Sequence, residues 1–358
     1  MINERLFTLL RIGLKITDPK EEDLTPFGGL TNEQWDALMN TAQEQGVLGF
    51  VFDGVETIST TIQLQKQPKW LFEAYNGVLL RESLNIKQQD VIEELCDIWG
   101  KEGIKMLLLK GQANGLLYPN PLRRDSGDID CYLFDQYEKG NNIIRGHGIS
   151  IDEDWEKHSK FSYKGETIEN HQFFVQTLDT KWWESLHSDL SSLVSSSIQM
   201  FPQSKILVPP IQFNALFLTY HAMEHFTMGN LRLKQILDWA MFVRTNNNKV
   251  DWKILRTQCE KFKMGAFLDV MNGIIMKYLS IDVNEEMKMS IDDCVLSKVM
   301  HSVFNDRDFV WEEDNKNRWI RRWHYVIYNI KYCWKLKIAG RPLVKQLWLY
   351  ASTYGERN

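Results

Sequence analysis

Residues 105–134, KMLLLKGQANGLLYPNPLRRDSGDIDCYLF, constrain this 358-residue chain more than any other stretch. An apolar run ends in Lys110-Gly111, a small-residue segment and a Pro-containing turn follow, and Gly127-Asp128-Ile129-Asp130 opens the next apolar run. Met106 to Leu109 is short, continuous and bounded by Gly, which predicts a buried strand rather than another helix. A helix of about two turns is expected from Gly111 to Tyr118, ended by Pro119 and Pro121. Asp128 to Phe134 predicts a second strand. Side chains two apart in a strand point the same way, so Asp128 and Asp130 project together while Ile129 enters the core. Two carboxylates this close repel each other and raise one pKa unless a cation lies between them. Mg²⁺ is the natural candidate, with Mn²⁺ beside it, because Mg²⁺ favours oxygen ligands from one or two carboxylates plus substrate phosphates.

The flanking sequence predicts where the rest of such a site would come from. Thr167 to Leu178 reads as a third strand with Glu169 and His171 on one face, and Glu169 is the expected third carboxylate of a two-metal site. Residues 135–150 read as a helix ending near Gly146-His147-Gly148. Residues 1–100 read as helical, with Thr31 and Gln34 placed as a capping box before Trp35, Leu38, Met39 and Ala42. A longer helical pattern runs from Trp70 to Trp99. After the connector SSLVSSSIQMFPQSKILVPP the chain returns to helices. The expected fold class is α+β: a small mixed sheet in a core at 101–180, between helical regions at 1–100 and 181–316, with a basic aromatic helical tail at 317–358.

Composition narrows the classes. Hydrophobic residues at 44% and charged residues at 25% fit a globular chain, and a net charge of −5 gives no global argument for a nucleic-acid partner, which is not expected. No apolar stretch reaches the roughly 18 to 20 residues that span a bilayer, and the N-terminus lacks a clear cleavage site, so the expected location is cytoplasmic. The five isolated cysteines form no CxxC pair and are expected to be reduced and structural. From Asn317 onward nine Lys/Arg face one acid, leaving −13 on the preceding part. Two readings follow: the tail docks on the acidic body through Trp319, Trp323, Ile327, Ile330 and Trp334, or it makes peripheral contact with an anionic membrane or RNA.

The stretch LLLKGQANGLLYPNPLRRDSGDIDCYL resembles the nucleotidyltransferase superfamily with the fold of DNA polymerase beta, in which a Gly-containing turn precedes a strand bearing Asp-x-Asp. More narrowly it resembles a bacterial uncharacterised nucleotidyltransferase family, through Lys110-Gly111, Leu117-Tyr118-Pro119 and Arg124-Asp125-Ser126-Gly127-Asp128-Ile129-Asp130. Glu169 with His171, His158 ahead of them, and Arg232, Leu233 and Asp238 continue the similarity. The resemblance implies transfer of a nucleoside monophosphate from an NTP to a small-molecule or peptide acceptor. Asp128, Asp130 and Glu169 would be catalytic and metal-binding, and Lys110, Gly111, Arg124 and Gly127 would bind nucleotide. His158, His171, His221 and His225 would stand on the acceptor side. The superfamily usually has Gly-Ser at the phosphate turn; here the pair is Gly111-Gln112.

Blander readings stand beside these. Lys110 can be a strand-end surface lysine, Arg124 a partner for Asp125 or Asp128, and Asp238 an i, i+4 partner of Lys234. His171 can orient Glu169, meet the acceptor or sit bonded in the core. His221-Ala222-Met223-Glu224-His225 spells the H-x-x-E-H pattern of a zinc peptidase helix, without a clear distal ligand. From another functional class, a non-catalytic protein of the same fold would hold a peptide or nucleotide.

Overall fold

The computed structural model describes residues 2–59, 68–154, 157–175, 180–200, 204–305 and 318–353. The chain enters through α1 (Ile2–Gly13), α2 (Glu21–Leu24), α3 (Asn32–Glu44), α4 (Leu48–Ser59) and the long α5 (Lys69–Lys101). The capping box forms as expected. Gln34 N donates to Thr31 Oγ1 at 3.4 Å and Thr31 N donates to Gln34 Oε1 at 3.0 Å, satisfying two N-terminal donors of α3. Its apolar face then buries Trp35, whose ring stacks on Trp70 with centroids 4.6 Å apart. Helices α1 and α4 cross at Gly13 and Gly54, where any Cβ would collide with the Phe50 and Leu9 carbonyl oxygens, so only glycine permits this approach.

The sheet is built from β1 (Leu107–Leu109), β2 (Ile129–Tyr132), β3 (Asp152–Asp154), β4 (His158–Tyr163), β5 (Glu166–His171), β6 (Ile198–Gln199) and β7 (Leu207–Val208). Between its strands lie the short α6 (Gly111–Gly115) and α7 (Tyr137–Gly146). The order is β3-β4-β5-β2-β1-β7-β6, with β2–β5 and β1–β7 parallel and the other pairs antiparallel, so the sheet is mixed as expected. Four details differ from the sequence expectation, the first being that α6 stops at Gly115, short of Tyr118 and the prolines. Strand β5 stops at His171, because Phe174 and Val175 turn into the helical core instead; Leu178 lies outside the described residues. Strand β4, the hairpin partner of β5, was not anticipated. It reverses through Lys164-Gly165, both at positive φ, as a two-residue type I′ connection requires. The Ser-rich connector supplies β6 and β7.

The remaining helices are α8 (Thr180–Val194), α9 (Ile211–Met228), α10 (Leu233–Asn246), α11 (Trp252–Lys261), α12 (Gly265–Leu279), α13 (Asp293–Asn305), α14 (Arg318–Lys331), α15 (Cys333–Ile338) and α16 (Leu343–Thr353). Because strand side chains alternate, the sheet contributes to two cores. One packs Leu108, Ile129, Cys131, Phe161 and Ile168 against Val91, Leu95 and Trp99 of α5 and Ile144 of α7. The other joins Leu107, Leu109 and Tyr132 to the large helical core that contains Phe217 of α9. Asp130 and Glu169 therefore face the α9 side.

The tail docks, but of the expected stripe only Trp334 packs on the body among the described side chains. Trp323, Ile327 and Ile330 are 64, 57 and 55% exposed, Trp334 is partly buried, and the Trp319 side chain lies outside the described residues. The neighbouring edge is buried instead: Tyr328 seats on Gly229, the left-handed C-cap of α9, where a Cβ would exclude its ring. Lys335 is buried among aromatic rings, its Nζ 4.9 Å from the Tyr332 centroid and 5.5 Å from that of Phe226. No described helix is long and apolar enough to cross a membrane. All five cysteines are free. Cys96, Cys131 and Cys259 are buried as packing residues, whereas Cys294 and Cys333 are exposed, so the structural expectation does not extend to those two.

Candidate active site

The parallel register of β2 with β5 sets Asp130 beside Glu169, and the antiparallel register of β4 sets Lys160 opposite Glu169. On the other side Asp130 faces Leu109, the residue before Lys110. One transverse row of the sheet thus holds Lys160, Glu169 and Asp130, with Lys110 at its end. The adjacent row holds His158, His171 and Tyr132. Asp128, just ahead of β2, is exposed, while Asp130 is buried.

Side-chain contacts follow this layout. Lys110 Nζ lies 2.7 Å from Asp130 Oδ1, and Lys160 Nζ lies 3.0 Å from Glu169 Oε1 and 3.7 Å from Asp128 Oδ2. His171 Nε2 lies 2.8 Å from Asp130 Oδ1 and 3.7 Å from Glu169 Oε2, and His158 Nε2 lies 3.4 Å from Glu169 Oε1. Partial desolvation of its half-exposed side chain, followed by the nearby Glu169 charge, raises the Asp128 pKa. Burial would raise Asp130 as well, but Lys110 and the His171 hydrogen bond overcome it and hold the carboxyl well below its usual range. Burial lowers His171 to about 4, so its ring is neutral near pH 7. As a neutral ring it donates Nε2–H to Asp130, its shorter contact, and so orients that carboxylate.

The turn that carries Lys110 is strained. Lys110 has φ 48° and Gly111 φ 22°, and a non-glycine residue at positive φ costs on the order of 1–2 kcal/mol. That conformation reverses the chain between β1 and α6 and aims Lys110 at Asp130. Gln112, in place of the usual serine, donates to Asn85 Oδ1 at 2.6 Å, Gln88 Oε1 at 3.1 Å and Ser126 Oγ at 3.3 Å. Its side chain is committed to holding α6 against α5. Asn85 in turn donates to the carbonyls of Leu122 and Arg124, each at 2.8 Å, and Gln88 donates to Gly127 O at 2.7 Å. The loop delivering Asp128 is therefore clamped by α5.

Several motif residues meet in one buried cluster at the edge of the cleft. Arg124 is buried in a bidentate pair with Asp238, Nε to Oδ1 at 2.8 Å and Nη2 to Oδ2 at 2.7 Å. Tyr118 donates to the same carboxylate at 2.7 Å and Asn114 at 3.2 Å. Asp238 is thus the ion-pair partner of Arg124 rather than of Lys234, and among the described residues the guanidinium makes no ion pair with Asp125 or Asp128. Burial opposes the Arg124 charge, yet Asp238 outweighs it and raises the pKa. The pair explains why an Arg before Gly-Asp-Ile-Asp, a Tyr before Pro and an Asp in α10 occur in one chain.

A cleft of about 390 Å³ opens over the row, lined by Lys110, Gly111, Gly127, Asp128, Asp130 and Glu169 on one side and by α9 and α10 on the other. His221 and His225 lie on its α9 wall with their Nε2 atoms 3.2 Å apart, and His225 Nδ1 is 2.9 Å from Asn230 Oδ1. Glu224 pairs with Arg341 of the tail. Among the described residues no third ligand joins His221 and His225, so the zinc-peptidase reading loses its donor set. His158 and His171 stand instead beside Glu169, their three ligand atoms within 4.8 Å of one another.

A divalent cation fits the row on its donor chemistry. Three carboxylates face two ammoniums, and the carboxylate oxygens are hard ligands. Sequence reasoning missed Lys157 and Lys160, whose hairpin it did not anticipate, and Asn85 and Gln88. The last two carried a legible signal: polar residues on the same helical stripe as Val91, Ile92 and Leu95.

Comparison with known proteins adds one finding. The profile of a family described as an uncharacterised nucleotidyltransferase matches residues 31–279, well over half of the chain. No curated protein and no solved structure matches. The matched span contains the Lys110-Gly111 turn, Asp128, Asp130, Glu169 and Asp238, and the chain therefore belongs to this uncharacterised nucleotidyltransferase family.

Proposed function

We propose that this chain moves a nucleoside monophosphate from an NTP to a hydroxyl, phosphate or amine on a small-molecule or peptide acceptor. The observation that carries the reading is the β2–β5 register, which aligns Glu169 with Asp130 next to Asp128 in a cleft. Family membership and the resemblance to the DNA polymerase beta superfamily supply the reaction class. Asp128, Asp130 and Glu169 would hold Mg²⁺ or Mn²⁺, which when bound lowers the pKa of an attacking group and neutralises phosphate charge. Lys110 neutralises Asp130 beforehand and offers its ammonium to a phosphate oxygen. Gly111 and Gly127, lacking side chains, leave the backbone open to the nucleotide. His171 fixes the Asp130 carboxylate. In this reading the 101–180 core does the chemistry and the helical regions at 1–100 and 181–316 frame the acceptor.

Incubation with α-labelled NTPs, Mg²⁺ or Mn²⁺ and a cell extract tests the proposal. The wild type should label an acceptor fraction, EDTA should stop it, and Asp128→Asn or Asp130→Asn should each lower the rate by about 10²–10³-fold. Equal labelling by wild type and both variants would sink the catalytic reading. Absence of labelling together with metal-independent nucleotide binding would favour the non-catalytic binding protein, which the Lys110 and Lys160 ion pairs already suit.

A further inference from the structure

Two cations in the cleft have no acidic partner within ion-pair distance among the described residues. Lys157, just before β4, and Lys234, in the first turn of α10, both line the cleft, and among the described residues no carboxylate lies within ion-pair distance of either ammonium. Lys87, Lys110 and Lys160 differ, each meeting a carboxylate at 3.0 Å or less. A cation withdrawn from bulk water without a counter-charge is costly, and a bound anion would remove that cost.

The two lysines have different charged neighbours. The field at Lys157 comes from Lys110, Asp130, Glu224 and Glu169, whereas that at Lys234 comes from Asp125, Arg124, Arg232 and Asp238. His221 feels Lys110 and Lys157, and His225 feels Lys110 and Lys234. Lys157 thus neighbours His221 and Lys234 neighbours His225, and the two imidazoles touch each other. Spaced point charges linked by imidazoles suit an extended chain of phosphates better than one compact anion.

We infer that this lining is a phosphate subsite, in which Lys157 and Lys234 both grip a di- or triphosphate chain that leaves the carboxylate row along α9. The inference deepens the nucleotidyltransferase reading and rests on it for the identity of the nearest phosphate source, the tail of the NTP. A phosphorylated acceptor carries the same chemistry and is the other source.

Calorimetric titration of the full chain with sodium tripolyphosphate in EDTA tests the subsite without metal or turnover. The wild type should bind it. Lys157→Gln and Lys234→Gln should each weaken binding by about tenfold, the size of one charge-assisted hydrogen bond. Lys157→Arg should keep it, and Lys205→Gln, which removes a surface partner of Asp97, should leave it unchanged. Circular dichroism of each variant checks the fold. No tripolyphosphate binding by the wild type, or wild-type affinity in both Lys157→Gln and Lys234→Gln, would overturn the inference. The sources separate in a second arm: if the NTP tail occupies the subsite, the Lys157→Gln/Lys234→Gln double variant loses the preference for ATP over AMP. If an acceptor phosphate does, that preference survives while tripolyphosphate affinity still falls. Failure of the transfer reading is distinguishable, because Asp128→Asn would then be harmless in the labelling assay whatever tripolyphosphate does.

Discussion

Replacing Asp238 by Ala would strand the Arg124 guanidinium in a buried site with no counter-charge and leave the Tyr118 hydroxyl and Asn114 amide without their acceptor. Breaking a buried pair from one side costs about 3–5 kcal/mol. Denaturant unfolding of Asp238→Ala should show a loss of that size, and a loss below about 1 kcal/mol would mean that the pair does not organise the site. This residue also marks a limit of sequence reading. The alternation in Gly127-Asp128-Ile129-Asp130 is local, so the shared direction of the two acids was legible from period two alone. Arg124 and Asp238 are 114 residues apart, and no local spacing distinguishes that pairing from the nearer Lys234–Asp238 alternative.

At the scale of elements, α5 works as the clamp of the site. Gln88 donates to Gly127 O at 2.7 Å and to Glu166 Oε2 at 3.0 Å, which ties the loop before β2 to the start of β5. Gln88→Ala should raise amide hydrogen exchange across residues 124–128 by about tenfold, in proportion to one lost buried hydrogen bond, with helix content unchanged. Unaltered exchange there would show that the loop is held by other contacts. Helix α5 and strands β1 and β2 were legible because their periodicity extends over enough residues or is sharply bounded by glycine. Strands β6 and β7 are two residues long and acquire their identity only by pairing with β1 and each other, so a Ser-rich connector gave no warning. The β4–β5 hairpin did carry a turn signal in Lys164-Gly165 that periodicity alone overlooked.

Across the whole molecule, charge and packing are unevenly shared. The last 42 residues carry a net +8 on a chain of −5, and they attach through Tyr328, Lys335 and Arg341 rather than through their exposed Trp and Ile face. Arg341 also lies over the Trp182 ring at 5.5 Å, so it joins the tail to both α8 and α9. Arg341→Ala should lower stability by about 1–3 kcal/mol, because the Glu224 carboxylate would lose its partner. Thermal melts of this variant at matched ionic strength check the value, and an unchanged midpoint would show the tail to be merely appended. The family match ends at residue 279, yet Glu224, on the same helix as His221 and His225, is secured from residue 341. Changes in the segment that carries Arg341 can therefore reach the α9 wall of the cleft through Glu224, from outside the matched span, without touching Asp128, Asp130 or Glu169.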